Sequence, residues 1–254
     1  AINYGFVSTE DLRRARVSTD AVHLANPLSE ERAVMRPSLL PGLTGAAARA
    51  QRHGATEARL FEIARTVEPS DDVLPREQTT LAITLAGHRG GWIGGAAQFD
   101  LYDGTGAIEA ILDHVFGRVP ALATGTLPAF MHPKRSGVVT LGSRQIGFVG
   151  EIHPDVADDL ELIGRVVYAE LDVAALYALV EELGPTQARG LPKFPAVTRD
   201  IAMLVREEFS AAEFAEALAE ASKGLAESVA LFDLYRGGQI PEGHRSLAFR
   251  VTYR

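Results

Sequence analysis

The sequence predicts an α+β protein built from two domains, and three observations carry that prediction. Helical and strand-like periodicities alternate irregularly through residues 1–184, without the regular strand–helix–strand rhythm of a parallel sheet. Short apolar runs joined by tight turns favour antiparallel pairing. A stretch over residues 185–198 holds Pro185, Pro192 and Pro195, reads as an extended linker, and is followed by a tidier pattern in residues 199–254. With 254 residues and 46% apolar content, the chain can build one large or two ordinary cores.

In the first domain, Leu39, Leu40, Leu43, Ala46, Ala47 and Ala50 recur at helical spacing behind Ser38 as N-cap, and Gly54 stops that helix. Residues 58–67 read as a strand, and residues 81–85 alternate apolar and polar side chains as a half-buried strand does. Ile108, Ile111, Leu112, Val115 and Phe116 form a helical stripe, opened by Thr105 and closed by Gly117. Residues 137–141 and 145–149 make a hairpin around Gly142-Ser143-Arg144. A strand over 166–171 leads into a helix over 174–183, capped by Asp172 or Val173 and ended by Gly184-Pro185. In the second domain, residues 201–205 form a strand and Ser210-Ala211-Ala212-Glu213 is a capping box that opens a helix. Residues 229–234 and 246–253 are two further strands. The order β-α-β-β is a ferredoxin-like unit without its last helix and strand. The apolar side of Leu247, Phe249, Val251 and Tyr253 is therefore expected to lack part of its cover.

Composition excludes several functions. Without cysteine there is no disulfide scaffold, thiolate nucleophile or Cys-ligated zinc. No apolar run reaches the roughly 20 residues of a membrane span. The first residues lack a signal-peptide pattern, so a soluble, cytoplasmic protein without membrane contact is expected. None of the seven histidines sits in a His-x-x-x-His pair. His132-Pro133 and His153-Pro154 read as turns with hydrogen-bonded imidazoles, and no metal site is expected. There is no Gly-x-Ser-x-Gly elbow. The glycine-rich stretches Gly90 to Gly95 and Gly104-Thr105-Gly106 do not fit a phosphate-binding loop and read as loop and cap glycines. Glu62, Asp100 and Asp103 could pair as acid and base, but nothing in the sequence brings them together. No catalytic residue is expected.

The formal charge of −8 argues against a uniformly basic nucleic-acid binder. It is unevenly spread. Residues 1–191 carry −7, whereas residues 236–254 hold Arg236, Arg245, Arg250 and Arg254 against Glu242. Arg250 and Arg254 share one strand face, and Arg236, His244 and Arg245 cluster at the preceding loop. Such a group suits phosphates, although ordinary solvation of an edge strand fits it equally.

The residues Arg199-Asp200-Ile201-Ala202, Leu231-Phe232-Asp233-Leu234-Tyr235-Arg236-Gly237 and Pro241-Glu242-Gly243-His244-Arg245-Ser246-Leu247-Ala248-Phe249 closely resemble the ferredoxin-fold anticodon-binding domain of bacterial phenylalanyl-tRNA synthetase β subunits. The first domain is similar to the catalytic-like domain of the same subunits. The carrying motifs there are Asn26-Pro27-Leu28-Ser29, Met35-Arg36-Pro37-Ser38-Leu39-Leu40-Pro41-Gly42-Leu43, Leu60-Phe61-Glu62-Ile63 and Ile146-Gly147-Phe148-Val149-Gly150-Glu151-Ile152-His153-Pro154. Two positions depart from the family pattern: Asp103 stands where Lys is usual, and Lys134 where Gly is usual.

The resemblance implies a class II synthetase-like antiparallel sheet that assists rather than catalyses. The class II second motif sets Arg and Glu two apart on one strand face. Here Arg59 and Glu62 are three apart, hence on opposite faces, and the third motif is absent. In such α2β2 enzymes the α subunit holds ATP and phenylalanine, so ATP and Mg²⁺ belong to the whole enzyme. This chain would dock α through residues 26–66, with Arg36, Leu39, Leu40 and Leu43 at the subunit interface. It would bind tRNA(Phe) through Arg236, His244, Arg245 and Arg250. The family's tRNA-binding module, editing domain and magnesium-ligand region are expected before Ala1, and the last helix and strand after Arg254, which makes this a C-terminal fragment. The competing expectations are a stand-alone paralogue with a regulatory or scaffold role, and an independent enzyme with a degenerate class II site.

Overall fold

The computed structural model describes residues 1–90, 97–184, 193–238 and 240–254. Two compact units result, Ala1–Thr186 and Gln187–Arg254. Most of the expected linker, residues 185–192, lies outside the described residues, as do Gly91 to Gly95 of the first glycine-rich stretch.

The first unit opens with β1 (Phe6–Val7), α1 (Thr9–Arg14) and β2 (Val34–Met35), where β1 and β2 pair as a small antiparallel sheet. Next come α2 (Leu40–Arg52), β3 (Glu57–Glu68), β4 (Arg76–Arg89), β5 (Ala97–Gln98) and α3 (Leu101–Phe116). They are followed by β6 (Ala121–Ala123), β7 (Met131–Leu141), β8 (Arg144–Ile152), α4 (Pro154–Asp159), β9 (Val166–Asp172) and α5 (Val173–Leu183). The main sheet is antiparallel throughout, in the order β3-β4-β9-β8-β7-β6, with β5 paired to β4.

Helices cover both sides of this sheet. Leu40, Leu43 and Ala47 of α2 pack with Ala82, Ala86, Val166 and Tyr168 on one face. Ile108 and Leu112 of α3, with Leu176 and Leu179 of α5, pack with Leu81, Ile83 and Leu85 on the other. Strand β4 is consequently buried on both faces from Thr80 to Gly87, not half-buried as its alternation implied. Its small residues meet α2 and its large ones meet α3 and α5.

Helix α3 starts four residues before Thr105. Asp100 is its N-cap, and Asp103 completes a capping box by accepting from the Asp100 amide at 2.9 Å. Gly104 is therefore inside the helix rather than in a loop. A Cβ there would lie 2.6 Å from Val167 and 2.8 Å from Val149, so glycine lets the helix sit directly on the sheet.

The second unit comprises β10 (Val197–Arg206), α6 (Ala211–Ala221), β11 (Ala226–Tyr235) and β12 (His244–Tyr253), in the sheet order β10-β12-β11. Val197 and Thr198, expected in the linker, already pair with β12. Ser210 and Glu213 form the expected capping box. Phe214 and Leu218 of α6 pack over Leu247 and Phe249, both fully buried. The expectation of an uncovered apolar side on β12 is thus corrected: one helix covers its centre, and Val251 is also fully buried.

Candidate nucleic-acid interface

The sheet of the second unit has one covered and one open face. In register, Asp200, Arg250 and Ala230 form one row across the three strands on the side opposite α6, and Ala202, Ala248 and Asp233 form the next. Strand β11 carries a bulge between Leu231 and Asp233. Leu231 and Leu234 consequently both point to the α6 side although three residues apart, while Asp233 and Tyr235 join the open face. Phe232, the residue at the bulge, meets the guanidinium of Arg250 5.0 Å from its ring centroid. Phe232 and Tyr235 are 51% and 52% exposed. An open sheet face with exposed aromatics and a cation matches the chemistry that stacks unpaired bases.

The terminal basic residues of this unit are paired with carboxylates or backbone carbonyls. Arg250 makes two 2.8 Å bonds to Asp200, which hold that carboxyl below and the guanidinium above their ordinary pKa ranges. Arg236 pairs with Glu207 at 3.0 Å, and Arg254 with Glu227 at 3.3 Å. The His244 Nδ1 lies 3.1 Å from the Glu242 carbonyl. Arg245 points to the α6 side, where it donates to the Phe209 carbonyl at 2.6 Å. Exposed ion pairs are worth about 0–1 kcal/mol, so phosphates could displace those carboxylates at small cost. Sequence reasoning assigned no role to Phe232 and Tyr235, because simple alternation does not reveal a bulge.

In the first unit, the residues expected at a subunit interface turn inward. Leu39, Leu40 and Leu43 are buried under α2 against the sheet, and cannot present side chains to another chain. Arg36 is a buried charge: it bonds Glu62 at 2.9 Å and the carbonyls of Arg65 and Tyr4. Glu62 in turn accepts from the Asn3 side chain at 2.6 Å. Glu62 is thus spoken for, and it lies far in role from Asp100 and Asp103, which cap α3. Arg59 leaves the opposite face from Glu62, pairing with Glu57 beneath the exposed end of β3. On that face, Phe61 and Ile63 are 61% and 59% exposed and border an apolar groove of about 420 Å³ with Leu81, Ile83, Leu85 and Ile111.

The model of the phenylalanyl tRNA synthetase beta chain CLM domain matches residues 1–173, and that of the ferredoxin-fold anticodon binding domain matches residues 192–254. The chain belongs to the phenylalanyl-tRNA synthetase β-chain family. The phenylalanine–tRNA ligase beta subunits of Moorella thermoacetica and Geobacter sulfurreducens are 35% and 36% identical to it over all of this chain. The chain spans about a third of their length, 32% and 31%. Among solved structures, the pyrrolysyl-tRNA synthetase of Desulfitobacterium hafniense aligns with a TM-score of 0.52 at 16% identity, covering 72% of this chain and 63% of that one. That likeness concerns the fold alone.

The described residues contain no group of three or more His, Asp or Glu placed to hold a metal ion. Arg59 and Glu62 cannot grip one ligand from opposite faces. His132 and His153 stack with ring centroids 6.3 Å apart, and each Nδ1 accepts from backbone amides just downstream. They act as turn-holding imidazoles, and burial keeps His132 below its ordinary pKa.

Proposed function

We propose that this chain is the C-terminal part of a phenylalanine–tRNA ligase β subunit, supporting ATP-dependent charging of tRNA(Phe) in the cytoplasm. The observation that carries this reading is the match of the first unit to the β-chain CLM domain, followed in order by the match of the second to the ferredoxin-fold anticodon binding domain. The second unit binds tRNA through its open face and the neighbouring Arg236, Arg250 and His244, with Arg245 bracing the β10–α6 corner. The first unit docks the catalytic α subunit within an α2β2 assembly, in which ATP and Mg²⁺ act on α and not on the residues of this chain.

Within the 26–66 segment, the docking surface is the exposed face of β3 rather than Arg36, Leu39, Leu40 and Leu43. Phe61 and Ile63 are large, apolar and open, and the relatives are named as subunits, which have another chain to cover such a surface. Co-purification with a phenylalanyl α subunit and recovery of charging activity tests the reading. Phe61→Asp with Ile63→Asp should abolish assembly while the circular-dichroism spectrum stays unchanged. Full assembly and charging by that variant would place the interface elsewhere, and failure of the unmodified chain to associate would sink the reading itself.

A further inference from the structure

In the first unit, His132 and His153 meet where β7 starts and α4 begins, and their rings stack with centroids 6.3 Å apart. The His132 Nδ1 accepts from the amides of Lys134 and Arg135 at 3.1 and 3.2 Å, which shapes the bend that β7 makes between its pairings with β8 at Met131 and Ser136. His153 caps α4: its Nδ1 accepts from the Asp155 amide at 3.3 Å, and its own amide donates to the Phe130 carbonyl at 2.8 Å. Together the two residues join the bend to the start of α4, above the end of the core where Phe130, Met131, Ile152 and Val156 are buried. A ring nitrogen that accepts a hydrogen bond carries no hydrogen of its own. Both rings therefore hold their turns only as neutral imidazoles, with the hydrogen on Nε2. A proton added to Nδ1 turns that acceptor into a donor and sets it against the amides it held.

We infer that the His132–His153 pair is an acid-sensitive latch: proton uptake by either ring releases the turn it holds and loosens the junction of β7 with α4. The charges around the pair favour release. A cation on one ring repels a cation on the other, and Arg135 repels one on His132. Lys134 adds a further exposed cation to the bend. Glu151 would attract a protonated His132, but its carboxylate is bound to Arg135 at 2.6 Å. Asp155 lies 3.6 Å from the His153 Nδ1 and is shared with Arg16 of the α1 end at 3.1 Å. Burial, followed by Arg135, holds His132 below its ordinary pKa. The unfolded chain therefore binds a proton at that position before the folded one does. The contribution of His132 to stability is complete above about pH 6.5, the ordinary histidine value, and is lost as pH falls from there through the lower folded value.

The test uses the full 254-residue chain. Proton–nitrogen NMR of the imidazoles should find both Nδ1 atoms bare at about pH 7.5. Hydrogen-exchange protection of the Lys134, Arg135 and Asp155 amides should fall by about tenfold between about pH 7.5 and about pH 5, while the amides of β9 keep theirs. Asn in place of either histidine offers a carbonyl oxygen to the same amides, as in an Asx turn or a helix cap, and has no proton to gain. The double variant His132→Asn with His153→Asn should keep all three amides protected at acid pH. It should also lose less stability than the unmodified chain on going below about pH 6.5 in urea titrations. His153→Asn alone should rescue Asp155 and leave Lys134 and Arg135 acid-labile. Rings that take up protons while the three amides stay within about twofold of their neutral protection would overturn the latch, as would an Nδ1 already protonated at about pH 7.5. Loss of protection shared equally by β9 would mean global unfolding and would overturn it too. Should the double variant fail to fold, the exchange data on the unmodified chain decide the matter. A folded double variant with the pH profile of the unmodified chain would refute any role for the two imidazoles.

Discussion

Replacing Glu62 by alanine should cost this chain more than any change to an exposed carboxylate. The side chains of Arg36 and Glu62 are 8% and 4% exposed and 2.9 Å apart. Removing the carboxylate strands a guanidinium whose other bonds, to the Tyr4 and Arg65 carbonyls, were arranged around the pair. The Asn3 amide loses its 2.6 Å acceptor as well. Breaking a buried pair from one side costs about 3–5 kcal/mol, a large part of the 5–15 kcal/mol that stabilises an ordinary domain. At a slope of about 2 kcal/mol per molar urea, the midpoint of the larger unit should fall by about 2 M. Arg36→Met should be comparably harmful. The double replacement Arg36→Met with Glu62→Leu should be milder than either single change, because no charge is then left buried. Urea unfolding followed by circular dichroism supplies the three values. Single variants costing under about 1 kcal/mol, or a double variant costing their sum, would show that the pair is not coupled in the interior.

Three further outcomes follow from the packing. Gly104→Ala raises helix propensity by about 1 kcal/mol, yet should lower the melting temperature, because its methyl group meets Val167 and Val149 at 2.6 and 2.8 Å. Asp103→Lys should destabilise α3 by about 1–2 kcal/mol in thermal unfolding, since it removes the capping-box acceptor and sets a cation beside Arg89 at a helix N-terminus. Glu170 is held above its ordinary pKa by burial, against hydrogen bonds from Tyr168 and Ser38 that favour the charged form. Folding therefore favours its protonated form, a contribution present below the unfolded pKa and lost as pH rises through the folded one. Glu170→Gln should be more stable than the unmodified chain near about pH 7, by a margin that shrinks toward about pH 4 in paired urea titrations.

Much of this molecule was legible in its sequence, and the failures share a cause. The hairpin at Gly142, the capping box at Ser210 and the strand alternation of β12 are local, and local chemistry decides them. The start of α3 was missed because Gly104 and Gly106 look like loop residues. Only the sheet beneath shows why a helix needs glycine there. Arg36 and Leu39 lie in one motif, and motif spacing cannot say whether a side chain faces a partner or its own core. The terminal arginines were counted correctly, but their partners Asp200, Glu207 and Glu227 could not be read from spacing. Those carboxylates come from distant positions and meet the arginines only through strand register and folding of the unit.

The bulge in β11 also bears on how this face can change over time. Each strand carries two alternating columns of side chains, and an extra residue swaps which column faces outward from that point on. Deleting Phe232 would join Leu231 to Asp233 in plain alternation, keep Leu234 toward α6 and Asp233 and Tyr235 on the open face, and remove the ring that meets Arg250. A residue lost elsewhere in β11 has the opposite effect and turns the side chains beyond it to the wrong side. Position 232 is therefore where this strand can shed a residue without inverting its far end.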